Sequence, residues 1–211
     1  METHFHFSFS IAVLGETSAG KSQLISCTQP DIQHAAPEPR DSIADHGVQT
    51  KTHTYESRGA RYQITMWEVP GAPRFLNAVH MYTSMASGFA FVFDLSRRAT
   101  FERVALWLDK VEQSSPKLPK VLLGNKSDLA SEVEPEEAFQ LAKRFGCKYF
   151  ETCATQNEQV PEAFSTLIAL VVSQIPNPPE PSLLLRKRIQ IGRALAENKN
   201  FRAALFGIAP P

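Results

Sequence analysis

Eight residues, Gly15-Glu16-Thr17-Ser18-Ala19-Gly20-Lys21-Ser22, combine glycine, lysine and a hydroxyl at a spacing suited to holding phosphate. Glycines let the backbone curl so that successive N–H groups converge on an anion. An apolar run from Phe9 to Leu14 leads in, and a helix-compatible run from Lys21 to Cys27 leads out. A helix beginning there adds its own unpaired N–H groups to the cradle. Lys21 is placed to reach the β- and γ-phosphates, and the Ser22 hydroxyl to sit on Mg²⁺.

A second group, Asn125-Lys126-Ser127-Asp128, follows the strand-like run Lys120 to Gly124. A carboxylate at Asp128 can accept hydrogen bonds from both N1–H and the exocyclic amine of guanine. Adenine offers no matching pair of donors. A site built around such a bond rejects the wrong base by leaving a polar group unpaired. A third group, Glu151-Thr152-Cys153-Ala154, follows the short strand candidate Lys148 to Phe150.

The elements that must position these groups alternate along the chain. Phe5, Phe7, Phe9, Ile11 and Val13 alternate with small or polar residues before the run turns continuously apolar, as in a strand entering a buried sheet. Residues 48–57 and 61–67 read as a hairpin about Arg58-Gly59-Ala60, and Gly88 to Asp94 as a buried strand. Phe101, Val104, Leu108 and Val111 share one helical face within residues 100–113, with Thr100 as N-cap. Residues 135–145 and 160–174 form two more amphipathic helices, with Pro135 and Pro161 near their starts. Such alternation predicts an α/β fold with a mainly parallel six-stranded sheet and helices on both faces. Ligands then bind beyond the carboxyl ends of the strands, where all three groups fall.

Composition narrows the class. Lys and Arg number 22 against 22 acidic residues, so charge does not point to nucleic acid. Cys27, Cys147 and Cys153 show neither metal-ligand spacing nor a disulfide framework and read as reduced intracellular thiols. No run of about 18 apolar residues suggests a membrane span. His4 and His6 read as surface residues. Residues 1–175 make one domain, 176–182 a proline-rich linker, and 183–211 a basic amphipathic segment.

The three groups stand in the order found in small GTPases of the Ras superfamily, and the chain most resembles the Rab branch over residues 8–174. Trp67-Glu68-Val69-Pro70-Gly71-Ala72-Pro73-Arg74-Phe75 resembles the Rab signature Trp-Asp-Thr-Ala-Gly-Gln-Glu-Arg-Phe with five changes. Phe101 and the Trp107-Leu108 pair are also placed as in Rab proteins. The resemblance implies a P-loop GTPase fold that binds GTP or GDP with Mg²⁺. It implies nucleotide contacts at Gly15, Glu16, Thr17, Ser18, Ala19, Gly20, Lys21, Ser22 and Gln23, at Gly71, and at Asn125, Lys126, Asp128, Cys153 and Ala154. Ser22 and Glu68 are the implied metal residues, Glu68 acting through water. It further implies a switch or scaffold in intracellular transport that meets protein effectors or a scaffold through its switch regions. The basic and apolar residues after Pro181 themselves suggest a helix packed on its own domain first, a partner-binding helix second and a membrane-surface helix third.

The departures from the pattern set further expectations. Asp45 stands where the first-switch Thr would hold Mg²⁺, in a loop longer than usual, with Ser42 as a substitute if that loop folds differently. Nucleotide retention should then depend less on Mg²⁺. Ala72 replaces the Gln that orients attacking water, so intrinsic hydrolysis should be slow and no catalytic side chain is assigned. The alternatives are an interaction module without turnover, or a subunit of a larger transport assembly. The last cysteine is Cys153 and the second residue is Glu2, so no lipid anchor is expected, and the protein is expected to be cytoplasmic and to meet membranes through a partner.

Overall fold

The computed structural model describes residues 7–28, 49–57, 60–77 and 79–175. The expectations placed on His4, His6, Phe5, Ser42 and Asp45, on the turn at Arg58-Gly59, on the linker and on the basic segment lie outside the described residues.

Strands β1 (Phe7–Gly15), β2 (Gln49–Ser57), β3 (Ala60–Glu68), β4 (Gly88–Asp94), β5 (Lys120–Asn125) and β6 (Lys148–Thr152) form one sheet in the order β2-β3-β1-β4-β5-β6. β2 pairs antiparallel with β3, and every other neighbouring pair is parallel. The helices are α1 (Lys21–Cys27), α2 (Pro73–Asn77), α3 (Val79–Thr83), α4 (Arg98–Ser114), α5 (Pro135–Arg144) and α6 (Val160–Gln174).

Side-chain alternation along the strands sorts the core into two layers. Ile11 and Val13 of β1, Ala90 and Val92 of β4, and Val121 and Leu123 of β5 meet α1 and α6 residues such as Leu24 and Phe164 on one face. Ala12, Leu14, Phe89, Phe91, Phe93 and Leu122 meet Val104, Trp107, Leu108 and Ala138 of α4 and α5 on the other. All seven residues of β4 and all six of β5 are buried. That burial explains their nearly unbroken apolar runs, since parallel strands covered on both faces cannot show a polar side. Trp67, the next-to-last residue of β3, is 6% exposed, and Trp107 of α4 is 1% exposed.

One helix start differs from expectation. α4 begins at Arg98 with Arg97 as N-cap, so Thr100 is an interior first-turn residue. Its hydroxyl donates to the Arg97 carbonyl at 2.7 Å and accepts from the Asp94 N–H at 2.9 Å. Thr100 therefore ties the end of β4 to the start of α4 instead of capping the helix. The short helices α2 and α3, five residues each, were not legible as helices.

Because β1, β3, β4, β5 and β6 run the same way, Gly15, Glu68, Asp94, Asn125 and Thr152 all end at one edge of the sheet. Among the described residues no helix is long and apolar enough to cross a membrane.

Candidate nucleotide site

The loop from Gly15 to Gly20 joins β1 to α1. Gly20, the N-cap of α1, has φ +94, and a Cβ there would lie 2.1 Å from Asn125 Nδ2. Glycine thus allows Asn125 to come up against the loop, where its amide donates to the Ala19 carbonyl at 2.9 Å. This bond crosses from the tip of β5 to the loop after β1 and ties the second motif to the first. Thr152 donates to Asn125 Oδ1 at 3.3 Å, and the Ser127 N–H donates to the Thr152 carbonyl at 3.2 Å, so the third motif joins the same junction.

Lys21 is 4% exposed and donates to the carbonyls of Gly15 at 3.0 Å and Glu16 at 2.9 Å. Both partners are neutral. Burial lowers the Lys21 pKa, and the nearby Glu68 and Glu16 carboxylates partly oppose that. A cation wrapped in neutral carbonyls beside a helix start suits a phosphate anion. The residues present therefore fit a nucleotide phosphate chain.

Ser22 donates to Glu68 Oε1 at 2.7 Å, across from the end of β3. Two hard oxygen groups meet there, the kind of partial shell that Mg²⁺ completes with phosphate and water. Among the described residues no three His, Cys, Asp or Glu side chains gather as a metal cage. Gly71 lies hard against the loop, and a Cβ on it would stand 2.1 Å from the Thr17 nitrogen and 2.7 Å from the Gly15 carbonyl oxygen. Next to it Ala72 is half-buried and packs against the apolar layer under α4.

Asp128 is exposed, and its Oδ1 accepts from the buried Cys153 thiol at 3.2 Å. Cys153 also lies 3.0 Å from Thr155 Oγ1. Ala154 is fixed through its carbonyl, which accepts from Cys27 Sγ of α1 at 3.0 Å. Burial raises the Cys27 pKa, helped by Cys153 and opposed by Lys51. Gln23, Thr17 and Ser18 are exposed on the rim, Glu16 is half-buried and Ala19 is buried.

Sequence reasoning missed the group that binds these parts together. Asp94, at the end of β4, has a side chain only 1% exposed, and its Oδ2 accepts from Lys126 Nζ at 2.7 Å and Arg97 Nε at 2.8 Å. Its Oδ1 accepts from the Ser96 N–H and hydroxyl at 3.0 and 2.7 Å. Burial alone would raise the Asp94 pKa, but the Lys126, Ser96 and Arg97 bonds outweigh it and hold the carboxyl below its usual range. Arg97 also donates to the Thr17 carbonyl at 3.3 Å, and Arg103 Nε stands 2.9 Å from Glu16 Oε1 as an ion pair outside hydrogen-bond geometry. The one local clue was an acidic residue closing an otherwise apolar strand.

The Ras family model matches residues 10–173 of the chain. Similar curated proteins include the human Ras-related protein Rab-40A-like, 29% identical over 170 residues, which are 80% of this chain and 59% of that protein. The chain thus spans about three fifths of that relative. Ras-related protein RABA5d of Arabidopsis thaliana is 34% identical over 172 residues, covering 80% of this chain and 76% of that protein. Ras-related protein Rab-15 of Rattus norvegicus is 28% identical over 175 residues, 82% of this chain and 80% of that protein.

Proposed function

This chain belongs to the Ras family of small GTPases and is Rab-like, and on that premise we propose that it binds GTP and GDP with Mg²⁺, hydrolyses GTP slowly, and serves as a switch or scaffold in intracellular transport. The observation that carries the nucleotide reading is the Asn125–Ala19 bond at 2.9 Å. It brings the base-reading residues and the phosphate loop into one continuous site.

In this reading Lys21 and the loop N–H groups hold the phosphates. Asp128, with Cys153 as its hydrogen-bond donor, reads the guanine edge. Ser22 and Glu68 hold Mg²⁺, which neutralises phosphate charge when bound. Gly71 closes against the loop on the side where Thr17 lies. Ala72 carries no donor or acceptor, and its methyl is committed to apolar packing, so no side chain at that position orients water. That supports slow intrinsic turnover.

The same observation favours a second reading, an interaction module that binds guanine nucleotide without turning it over. Transport and effector binding are carried over from the Rab resemblance. Competition of GDP and ADP against a fluorescent guanine nucleotide tests the common part of both readings. Displacement by GDP alone is expected, and equal displacement by ADP would overturn it. Single-turnover GTP hydrolysis then separates the two.

A further inference from the structure

Arg97 is a turn residue between β4 and α4, outside the three motifs, yet it touches the phosphate loop. Its Nε is anchored on Asp94 Oδ2 at 2.8 Å, and another guanidinium nitrogen donates to the Thr17 carbonyl at 3.3 Å. The next residue, Ser18, has φ +63, a left-handed conformation that side-chain-bearing residues rarely adopt. Such a conformation persists only where the surroundings hold it.

We propose that Arg97 is a positioning residue that aims the Ser18 N–H at the outer phosphates of a bound guanine nucleotide, an inference that rests on the nucleotide reading above. The Thr17 carbonyl and the Ser18 N–H belong to one planar trans peptide, so they point in opposite directions. Arg97 stands on the α4 flank of the loop and holds that carbonyl toward itself. The N–H is thereby turned to the other side, toward the cradle. The neighbouring peptides are held too: Lys21 takes the Gly15 and Glu16 carbonyls, and Asn125 takes the Ala19 carbonyl. Arg97 supplies the hold that this series needs at Thr17, just before the strained residue.

Asp94 extends the arrangement. The same Oδ2 receives Lys126 at 2.7 Å, so the base-reading motif and the loop crest hang on one buried carboxylate. Asn125 meets the loop at Ala19, on the base side, and Thr17 and Ser18 lie beyond it. Arg97 therefore serves the β-phosphate rather than the base or the α-phosphate.

The test compares GDP and GMP affinities of the full chain by competition, for wild type, Arg97→Ala, Arg97→Lys and Arg97→Ala in a Ser18→Gly background. Arg97→Ala should weaken GDP by about tenfold, as expected for loss of a charge-assisted hydrogen bond, while GMP changes by less than about twofold. Arg97→Lys should recover part of the loss. With Ser18→Gly, where the left-handed conformation carries no strain, removal of Arg97 should cost GDP only about twofold. Equal losses for GDP and GMP, or no loss for either, would overturn the proposal and leave Arg97 a surface strap. A wild type that does not prefer GDP to ADP would instead overturn the nucleotide reading and this inference with it.

Discussion

The Ser22 hydroxyl and the Glu68 carboxylate meet at 2.7 Å, although they stand 46 residues apart. One sits in the first turn of α1 and the other closes β3, and the parallel register of β1 on β3 sets Val13 opposite Glu68. The pairing makes a small oxygen-rich corner next to the buried Lys21 ammonium.

If that corner holds Mg²⁺, its two members contribute together. Mg²⁺ should slow GDP release from the wild type, and Ser22→Ala or Glu68→Ala should each reduce that slowing by about tenfold. Release rates of a fluorescent GDP with and without chelator measure this. A Glu68→Ala protein that responds to Mg²⁺ like wild type would remove Glu68 from the metal site.

Asp128→Asn should lower GDP affinity about a hundredfold, because two hydrogen bonds to a charged acceptor are lost. Xanthosine diphosphate, whose altered edge suits an amide, should gain. Competition titrations with both nucleotides decide it. Unchanged preference would place base recognition elsewhere.

Ala72→Gln should speed single-turnover GTP hydrolysis by about tenfold to a hundredfold, the scale of a single water-positioning group. GTP affinity should stay within about twofold. An unchanged rate would show that the defect lies in the metal shell or the first switch rather than at this position.

Gly71→Ala introduces a methyl where only 2.1 Å separates the new carbon from the Thr17 nitrogen. The loop or the segment after β3 must shift. Thermal unfolding should report a loss of about 1–3 kcal/mol, with a drop in GTP affinity. A variant equal to wild type in both would show that the two backbones separate at little cost.

His53 of β2 is buried, with Thr28 Oγ1 3.3 Å from its Nε2. Burial first, and the Lys51 charge second, lower its pKa below that of a free imidazole, about 6.5. The unfolded chain then binds the proton more readily than the folded one. Stability is full above about pH 6.5 and falls as pH drops toward the lower folded value. His53→Gln should flatten that part of the curve of unfolding free energy against pH. A wild-type curve flat between about pH 7 and 5 would show that His53 titrates normally.

Much of this was legible because it is local. β4 announced itself by its unbroken apolar run, α6 by periodicity, and the turn from β1 into α1 by its glycine spacing. The Asp94 junction was not legible, because it depends on the turn after β4 bringing Arg97 next to a loop 80 residues earlier in the chain. Nothing in the string Asp94-Leu95-Ser96-Arg97 distinguishes a buried hub from an ordinary polar turn. α2 and α3 escaped for a different reason. Each spans barely more than one helical turn, too short for an apolar face to repeat. Thr100 differs because a hydroxyl near a helix start reads as a cap, whereas its partners here are the Asp94 backbone at the end of β4 and the Arg97 carbonyl.

The two tryptophans are buried in the same apolar layer on the α4 face, yet only one borders the candidate site along the chain, and that gives the protein an optical channel of its own. Trp67 adjoins Glu68 in sequence, whereas Trp107 lies on the buried face of α4. Indole emission follows local polarity, so the Trp67 signal should change as metal and nucleotide come and go, while Trp107 gives a steady background. Trp107→Phe keeps an aromatic ring in the core and would leave Trp67 as a label-free reporter of the site in stopped-flow work.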